Sequence, residues 1–487
     1  MKGIKIDLKK IGESLKTRQV RYGGYAALIT LAVIAGLILI NLIMGQFAPQ
    51  VDLTGNRMFS LSEQTLQVID SVDSQVVFHG LWRPGEERSE ITTALDLYLA
   101  RNKNFRLNIV DPERNPGLVQ RFDKDNKGIS PGSVVVEGQK GFKVIGPMEM
   151  YDLDYSRATY ENPNPSITGV AVERRLTNAL LYVAAGTTPA VYELIGHDEA
   201  PLGGLGAQAL MERENYSLKQ LNLLLSDIPA DASALILNTP RSDLSPGEAD
   251  KLLAWLDKGG RLLVLADFRA GELANLNRVF ASYGFQFDYG VVIEPDQTHT
   301  AGSPLLVLPE RGDHDIVKPL NEQESPILLS QGMGVSELSA KRRSIEFIPF
   351  LNTSKDSFLR TDISVGSLEK IASDAGGPIT MGVAVKDPSY IQGNEPQARI
   401  VAISCGALLE SVSFYGQIPG NLDLFMNSLT WLEDRPENIA VRSKSLFILP
   451  MRLNTLQIVI FGLLFVIVIP LALFAGGLVI WLKRRHL

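Results

Sequence analysis

Two long uncharged, apolar segments lie near the two ends of this 487-residue chain. They are Gly23–Phe47 and Leu456–Leu482, and the sequence between them has an ordinary mixture of polar and apolar residues. A helix of roughly 20 apolar residues is long enough to cross the hydrocarbon core of a bilayer. Each segment is therefore predicted to be a transmembrane helix, so the lipid bilayer is an expected partner of the chain.

Basic residues flank the outer ends of both segments. They are Lys2, Lys5, Lys9, Lys10, Lys16, Arg18 and Arg21 before the first segment, and Lys483, Arg484 and Arg485 after the second. Since positive residues concentrate on the cytoplasmic side, both termini are predicted to be cytoplasmic. A single cysteine, Cys405, allows no intrachain disulfide, which favours a bacterial envelope. The expected location is the bacterial inner membrane, with the bulk of the chain periplasmic.

A cleaved signal peptide is the alternative interpretation of the first segment. The apolar region of a signal peptide usually has about 7–15 residues and precedes a small-residue cleavage site. Gly23–Phe47 is longer, and the following Ala48-Pro49-Gln50 places proline where cleavage is disfavoured. The sequence therefore favours an uncleaved anchor.

The order of expected helices and strands between the two segments predicts two α/β units. In the first, a capping box of Ser60 and Glu63 begins a helix, and strands are expected over 75–78, 105–110, 133–137 and 141–145. With a helix over 89–101, this is the order of a thioredoxin-like unit, which here lacks the redox-active C-x-x-C motif.

The second unit alternates strands and helices. Strands are expected over 190–195, 217–224, 234–237 and 261–266, and helices over 205–214, 245–258 and 273–283. Strands over 379–384 and 399–404 are expected to complete the same sheet, before a helix over 421–432. This rhythm predicts a flavodoxin-like, doubly wound parallel sheet.

The predicted fold class is therefore α/β, with two membrane-anchoring helices. The domain plan is a basic N-terminus (1–22), the first membrane helix (23–47), the thioredoxin-like domain (48–150), a polar linker and helix (151–187), the flavodoxin-like domain (188–440), a connector (441–455), the second membrane helix (456–482) and a basic tail (483–487).

The motifs of several enzyme classes are missing from the sequence. It contains no G-x-x-x-x-G-K-[ST], G-x-S-x-G or H-E-x-x-H, so an intrinsic ATPase or a common hydrolase is not expected. The net charge of −7 gives no electrostatic reason to bind nucleic acid. A metal ligand trio around His314 is conceivable, but a solvated loop is favoured there. We therefore expect a protein that is not an enzyme and holds no metal or cofactor.

The best polar constellation follows the first strand of the predicted parallel sheet. His197, Asp198 and Glu199 come at the strand's carboxyl end, where ligands of such sheets collect. Gly203 and Gly204 follow, and their free N–H groups could receive an anion. These five residues are predicted to contact a ligand, with a structural turn and a flexible loop as the alternatives.

The two apolar segments also contain residues suited to contacts between membrane helices. Asn41 could donate an interhelical hydrogen bond, and Pro470, Gly476 and Gly477 interrupt the second segment and allow close approach. These four residues are predicted to contact a membrane partner; packing between the chain's own two helices is the alternative.

Several segments resemble the GldG-like family, an auxiliary component of ABC-type transport systems named from gliding motility. The resemblance lies in Asp52–Thr54, Phe59–Ser62, Leu176–Leu180, Val191–Glu199, Leu244–Glu248, Leu253–Asp267 and Gly420–Leu432. It implies a non-catalytic membrane subunit that works with a separate ATPase and a multispanning permease. It also implies a sheet similar to a domain of an intraflagellar-transport protein. The family has no agreed catalytic residues, so none is carried over.

The expected function is that of a non-catalytic, extracytoplasmic accessory subunit of an ABC-type transport complex. Two alternatives from other classes remain. One is a periplasmic sensor or glycan-binding module, and the other is an envelope hydrolase that uses His197 and Glu199.

Overall fold

The computed structural model describes residues 25, 28–39, 60–124, 126–154, 166–186, 188–202, 207–268, 272–322, 325–364, 366–388, 397–405, 407–409, 418–434, 444–445, 460 and 462–485. The chain divides into two compact units, Met1–Met58 and Phe59–Leu487. In the first unit, residues 25 and 28–39 are helical, and Asn41 lies outside the described residues. Within the described ranges, no helix combines the length and the apolarity needed to cross a membrane.

The larger unit begins with a four-stranded sheet. Its elements are α1 (Glu63–Ser71), β1 (Val76–Leu81), α2 (Ser89–Arg101), β2 (Phe105–Val110), α3 (Pro116–Phe122), β3 (Val134–Gly138) and β4 (Gly141–Ile145). The strands lie in the order β2-β1-β3-β4. β1 and β2 are parallel, whereas β3 runs antiparallel to both β1 and β4. The four predicted strands and the predicted helix over 89–101 are observed, and α3 adds a helix between β2 and β3.

The start of α1 differs from the expected capping box. The N-cap is Ser62, whose hydroxyl accepts a hydrogen bond from the N–H of Thr65 at 3.3 Å. Glu63 is the first helical residue, so it cannot occupy the third position that a box with Ser60 requires. The N–H of Ser62 instead donates to Glu173 Oε1 at 2.7 Å. A long-range contact therefore replaces the local one, and the predicted box is wrong.

A hairpin and a helix follow the four-stranded sheet. They are β5 (Tyr151–Asp154), β6 (Ser166–Val170) and α4 (Val172–Ala185). Within the segment predicted as a polar linker and helix (151–187), β5 and β6 pair as antiparallel strands that the sequence did not predict. The helix of this segment is α4, which follows β6 directly.

Hydroxyl groups join α4 to the preceding helices. Thr177 Oγ1 lies 3.0 Å from Thr65 Oγ1 and 2.5 Å from the Tyr98 hydroxyl. Tyr98 also donates to the carbonyl oxygen of Glu173 at 3.0 Å. Since all these atoms are buried, the network fixes α1, α2 and α4 against one another.

The central sheet of the larger unit has eight strands. The elements around it are β7 (Ala190–Leu194), α5 (Ala207–Arg213), β8 (Ser217–Leu221), β9 (Ala232–Asn238), α6 (Pro246–Leu256), β10 (Arg261–Ala266), α7 (Ala274–Ser282), β11 (Phe285–Asp288), β12 (Val291–Ile293), a 3₁₀ turn (Gln297–His299), β13 (Leu306–Val307), β14 (Glu310–Arg311), α8 (Lys318–Glu322), β15 (Leu329–Ser330), β16 (Gly334–Glu337), β17 (Glu346–Asn352), β18 (Phe358–Arg360), β19 (Ala375–Gly376), β20 (Thr380–Asp387), β21 (Ala398–Ser404) and α9 (Pro419–Leu432).

The strand order of this sheet is β14-β17-β20-β21-β10-β9-β7-β8. Its five strands from β8 to β21 are parallel. Numbered along the chain, they follow the order 2-1-3-4-5 of a flavodoxin-like sheet. β20 and β17 extend the sheet as antiparallel strands, and β14 is the edge strand beside β17. The sheet is therefore mixed, and the expectation of an entirely parallel sheet is wrong.

Helices cover both faces of the parallel strands. On one face, Leu263 and Leu265 of β10 pack in a core with residues of α5 and α9. On the other face, Leu262 and Val264 pack in a core with residues of α6 and α7. The uninterrupted apolar run of β10 is explained by this burial on both sides.

The remaining described elements are short sheets and the C-terminal helix. β11 pairs with β16, β18 pairs with both β12 and β19, and β13 pairs with β15. Near the C-terminus, β22 (Lys444–Ser445) pairs with β6, and a π-helical turn (Leu463–Val468) leads into α10 (Ile469–Arg485). Pro470, Gly476 and Gly477 all lie in α10.

The two-sided core makes the first testable prediction. Leu263 is fully buried, whereas Leu225 is 81% exposed, so the two allow a matched comparison. We expect Leu263→Ala to lower the free energy of unfolding by about 3 kcal/mol, from lost burial and the cavity left behind. Leu225→Ala should change it by less than about 0.5 kcal/mol. Urea unfolding of the whole chain measures both, and equal effects would contradict the assignment of this core.

Candidate functional site

The predicted site begins in the turn that follows β7. Gly196 has a φ of 122°, and a Cβ at this position would lie 2.8 Å from the side-chain amide of Asn222. Asp198 also has a positive φ, of 56°, which asparagine and aspartate tolerate better than most residues. The turn reverses the chain sharply, and His197 and Glu199 meet as a result.

His197 lies between two carboxylates. Its Nδ1 atom is 3.2 Å from Oε1 of Glu199, and its Nε2 atom is 3.3 Å from Oε2 of Glu248. The histidine is 8% exposed, and both carboxylates are almost completely buried. Both ring nitrogens face acceptors, and both can donate hydrogen bonds at once only when the imidazole carries two protons.

Glu248 belongs to the first turn of α6. Its Oε2 atom accepts a hydrogen bond from the N–H of Ser245 at 2.9 Å, and the Ser245 hydroxyl accepts one from the N–H of Glu248. Burial opposes ionisation, but the bonds from Ser245 and the nearby His197 outweigh it and hold the pKa of Glu248 below its usual value. The glutamate of the capping box that starts this helix is therefore also a partner of His197.

This arrangement connects a loop to a helix rather than presenting reactive groups to solvent. The N–H of His197 also donates to Glu199 Oε2 at 2.7 Å, which tightens the turn. Asp198 is exposed and points no acceptor at the histidine bridge. Gly203 and Gly204 lie outside the described residues. The structure thus brings together His197 and Glu199 and adds Glu248, whose S-x-x-E signal was visible in the sequence.

Loops from neighbouring strands join the same edge of the sheet. The carbonyl oxygen of His197 accepts hydrogen bonds from the N–H groups of Arg241 and Ser242 at 2.8 and 3.1 Å. The Arg241 guanidinium contacts both carboxylate oxygens of Asp267, at 3.1 and 3.3 Å. The carboxyl ends of β7, β9 and β10 are therefore linked through Arg241.

Two buried polar residues end β9 at this edge. The side-chain amide of Asn238 donates to the carbonyl oxygen of Ala200 at 2.7 Å. The N–H of Thr239 donates to the carbonyl oxygen of Leu265. Thr239 has a φ of 50°, which is unusual for a β-branched residue. Within the described chain, Asn238 Oδ1 and Thr239 Oγ1 have no hydrogen-bond partner. Such strain and unsatisfied polarity cluster at functional edges of sheets.

A cavity of about 740 Å³ opens beside these loops. Its lining includes Pro240, Ala266 and Asp267 beyond or at the ends of β9 and β10, residues of α7, and residues of β11 with Tyr289. Met333, Leu359 and Thr361 complete the lining. Its volume is in the range of small-molecule sites. The sequence did not predict it, because its walls come from elements far apart along the chain.

The other histidine and the cysteine considered in the sequence are packed in the interior. The ring of His314 stacks on Phe350 and lies tilted against Trp431, with ring centroids 5.5 and 5.3 Å apart, and burial lowers its pKa to about 4. The expectation of a solvated loop is therefore wrong at His314, which is buried. Cys405 is buried, and burial raises the pKa of its thiol. No group of three potential metal ligands converges in the part of the chain that the structure describes.

The fold and this edge define an α/β protein with a flavodoxin-like strand order. Residues 189–413 match a family model described as "ABC-type uncharacterized transport system". The match supports the general family that the sequence resembles, an auxiliary component of ABC transport, and covers β7 through β21. A search of curated proteins finds no match.

Among solved structures, one titled "mmIFT52 N-terminal domain" is similar to this chain. The identity is 14%, and the alignment covers 50% of this chain and 97% of that one, with a TM-score of 0.36.

The histidine bridge makes a prediction about stability and pH. We expect Glu248→Gln to lower the free energy of unfolding by about 1 kcal/mol at pH 7, because a charge-assisted cap is weakened. The pKa of Glu248 is lowered on folding, so the advantage of the wild type exists above the unfolded value of about 4.3. This stability advantage should disappear as the pH falls through the lower pKa of Glu248 in the folded state.

Urea unfolding between pH 7 and pH 3 tests this expectation. Glu63→Gln is the matched control, because Glu63 is an exposed glutamate in the first turn of α1. A constant difference between wild type and Glu248→Gln over the whole pH range would refute the assigned role of the carboxylate.

Proposed function

We propose that this chain is a non-catalytic, extracytoplasmic accessory subunit of an ABC-type transport complex in a bacterial inner membrane. The family match over 189–413 is the observation that carries the proposal. The finer assignment to a GldG-like member, which docks on a separate permease and ATPase, is supported by the sequence segments that resemble that family. A role in gliding motility is one of the functions that such a subunit serves.

Membrane anchoring by both ends is part of the proposal. Its support is the pair of uncharged segments and the exposure of large apolar side chains in the described portions of both. In the second portion the exposed side chains are Leu463, Phe465, Val466, Leu471, Leu473, Phe474, Val479 and Trp481. A helix that is apolar all round requires an apolar surrounding. Lipid and the helices of a permease both supply one.

The contact with a permease is assigned to the small residues of α10. A Cβ added at Gly476 or Gly477 would meet no atom of the described chain within 4 Å. Glycines with open space beside them allow another helix to approach closely. Pro470 lies on the same helix, and Asn41 is the proposed counterpart in the first segment.

The absence of catalysis is proposed from the state of His197. Both ring nitrogens face buried carboxylates, and its carbonyl oxygen is also engaged. A general base needs one nitrogen directed at a substrate. If the chain were instead an envelope hydrolase, replacing His197 and Glu199 together by alanine would abolish function while the protein level stayed unchanged.

The cavity favours a second candidate function, that of a periplasmic sensor or ligand-binding module. Its size suits a small molecule, and it lies by the carboxyl ends of β9 and β10, where sheets of this kind bind ligands. This function and the accessory role are compatible, since a subunit of a transport complex can bind cargo or a signal.

Affinity purification in a mild detergent tests the accessory role. We expect the tagged chain to recover a permease and an ATPase from its native cells. Replacing Gly476 and Gly477 by leucine should reduce this recovery at least tenfold, because bulky side chains prevent close helix approach. Val479→Leu is the matched control in the same helix. Repeated recovery of the chain alone, or equal recovery by all variants, would contradict the proposal.

Cysteine labelling tests the proposed topology. Cys405 is buried, so an impermeant maleimide should leave the wild-type chain almost unlabelled. We expect Leu225→Cys to be labelled in intact spheroplasts. Lys2→Cys should be labelled only after the membrane has been permeabilised. Labelling of Lys2→Cys in intact spheroplasts would overturn the assignment of a cytoplasmic N-terminus.

A further inference from the structure

Much of the lining of the cavity of about 740 Å³ beside β10 is apolar. Leu276 and Phe280 of α7 and Met333 are buried side chains that border it. Leu273 and Leu359 add further buried apolar surface at its sides. A surface of this kind favours a ligand with an apolar body, because binding removes apolar area from water.

Carboxylates dominate the charge of the rim. Asp267, Glu272 and Asp288 line the cavity, and none of the other described lining residues is lysine, arginine or histidine. Asp267 is paired with Arg241, so its charge is largely compensated.

Among the described residues, the remaining two acids have no such partner. Asp288 accepts neutral hydrogen bonds on Oδ1 from Gln286 at 3.0 Å and Ser336 at 2.7 Å. Neither Asp288 nor Glu272 forms a salt bridge with another residue of the described ranges. Two uncompensated negative charges beside an apolar surface favour a cation.

Backbone geometry holds the wall that carries Asp288. Gly290 has a φ of 153°, and a Cβ there would lie 2.6 Å from the carbonyl oxygen of Arg360. The turn after β11 therefore contacts the end of β18 directly. Arg360 is itself buried and held by Asp374 at 2.8 Å. The turn that follows Asp288 is therefore packed against the end of β18.

We propose that this cavity binds a small amphipathic cation, an organic ammonium compound with an apolar body. The body lies against Leu276 and Phe280, and the ammonium group lies between Asp288 and Glu272. Tyr289, Gln286 and Thr361 at the mouth supply further acceptors for N–H groups. The proposal does not depend on the transport role, because it rests on the cavity's lining alone.

Isosteric probes test the charge of the ligand. 2-Phenylethylammonium, 2-phenylethanol and phenylacetate share an aromatic body and differ in charge. With the whole purified chain, calorimetry and saturation-transfer NMR should show the ammonium binding at least tenfold more tightly than the alcohol, and the carboxylate most weakly. Equal binding of the three, binding of the carboxylate in preference, or no binding of the ammonium would overturn the proposal.

Variants test the location. Asp288→Asn and Glu272→Gln should each weaken ammonium binding about tenfold while leaving the weak binding of the alcohol unchanged. Asp227→Asn, at a carboxylate that is 88% exposed and outside the cavity, is the control. Ala281→Trp places a large ring at an exposed lining position and should prevent binding of every probe. Ammonium binding that survives Ala281→Trp and the two acid substitutions would place the ligand elsewhere.

Discussion

The fold depends on burying five parallel strands on both faces at once. Alternate residues of β10 enter two separate cores, so that each face needs its own helices. The same constraint brings the carboxyl ends of all five strands to one edge of the sheet. Loops from β7, β9 and β10 must therefore meet there, whatever their sequences. The histidine bridge, the Arg241–Asp267 pair and the cavity are all consequences of this convergence.

The charged groups at this edge act as connectors between loops. His197 joins the β7 turn to α6 through Glu248, and Arg241 joins the β9 loop to β10 through Asp267. Removing one partner of such a buried pair leaves an uncompensated charge, which costs more than the pair contributed. The edge is therefore held in one arrangement by interactions that a single substitution disrupts. In this arrangement both ring nitrogens of His197, the histidine of the best polar constellation in the sequence, are engaged by carboxylates.

Local patterns predicted the elements well, and long-range contacts account for what they missed. The Pro246 start of α6 and the apolar run of β10 were readable because capping and two-sided burial leave local signatures. The N-cap of α1 was misplaced because Glu173, distant in sequence, receives the N–H of Ser62. Nothing in the sequence indicated that β20 is antiparallel, because a strand buried on both faces has the same apolar pattern whichever way it runs in the sheet. Ser245 and Glu248 form an S-x-x-E pattern that indicates a helix cap, but the pattern does not indicate that Glu248 contacts His197.

Stability and binding are coupled at the cavity. Asp288 and Glu272 both line the cavity and carry charge of the same sign, which a bound cation would compensate. A cation that binds the folded chain and not the unfolded chain shifts the equilibrium towards folding in proportion to the logarithm of its concentration. The strands β11 and β18, which contribute lining residues, pair with β16 and β12 over four and three residues. A ligand in the cavity would add contacts between these short pairings and α7.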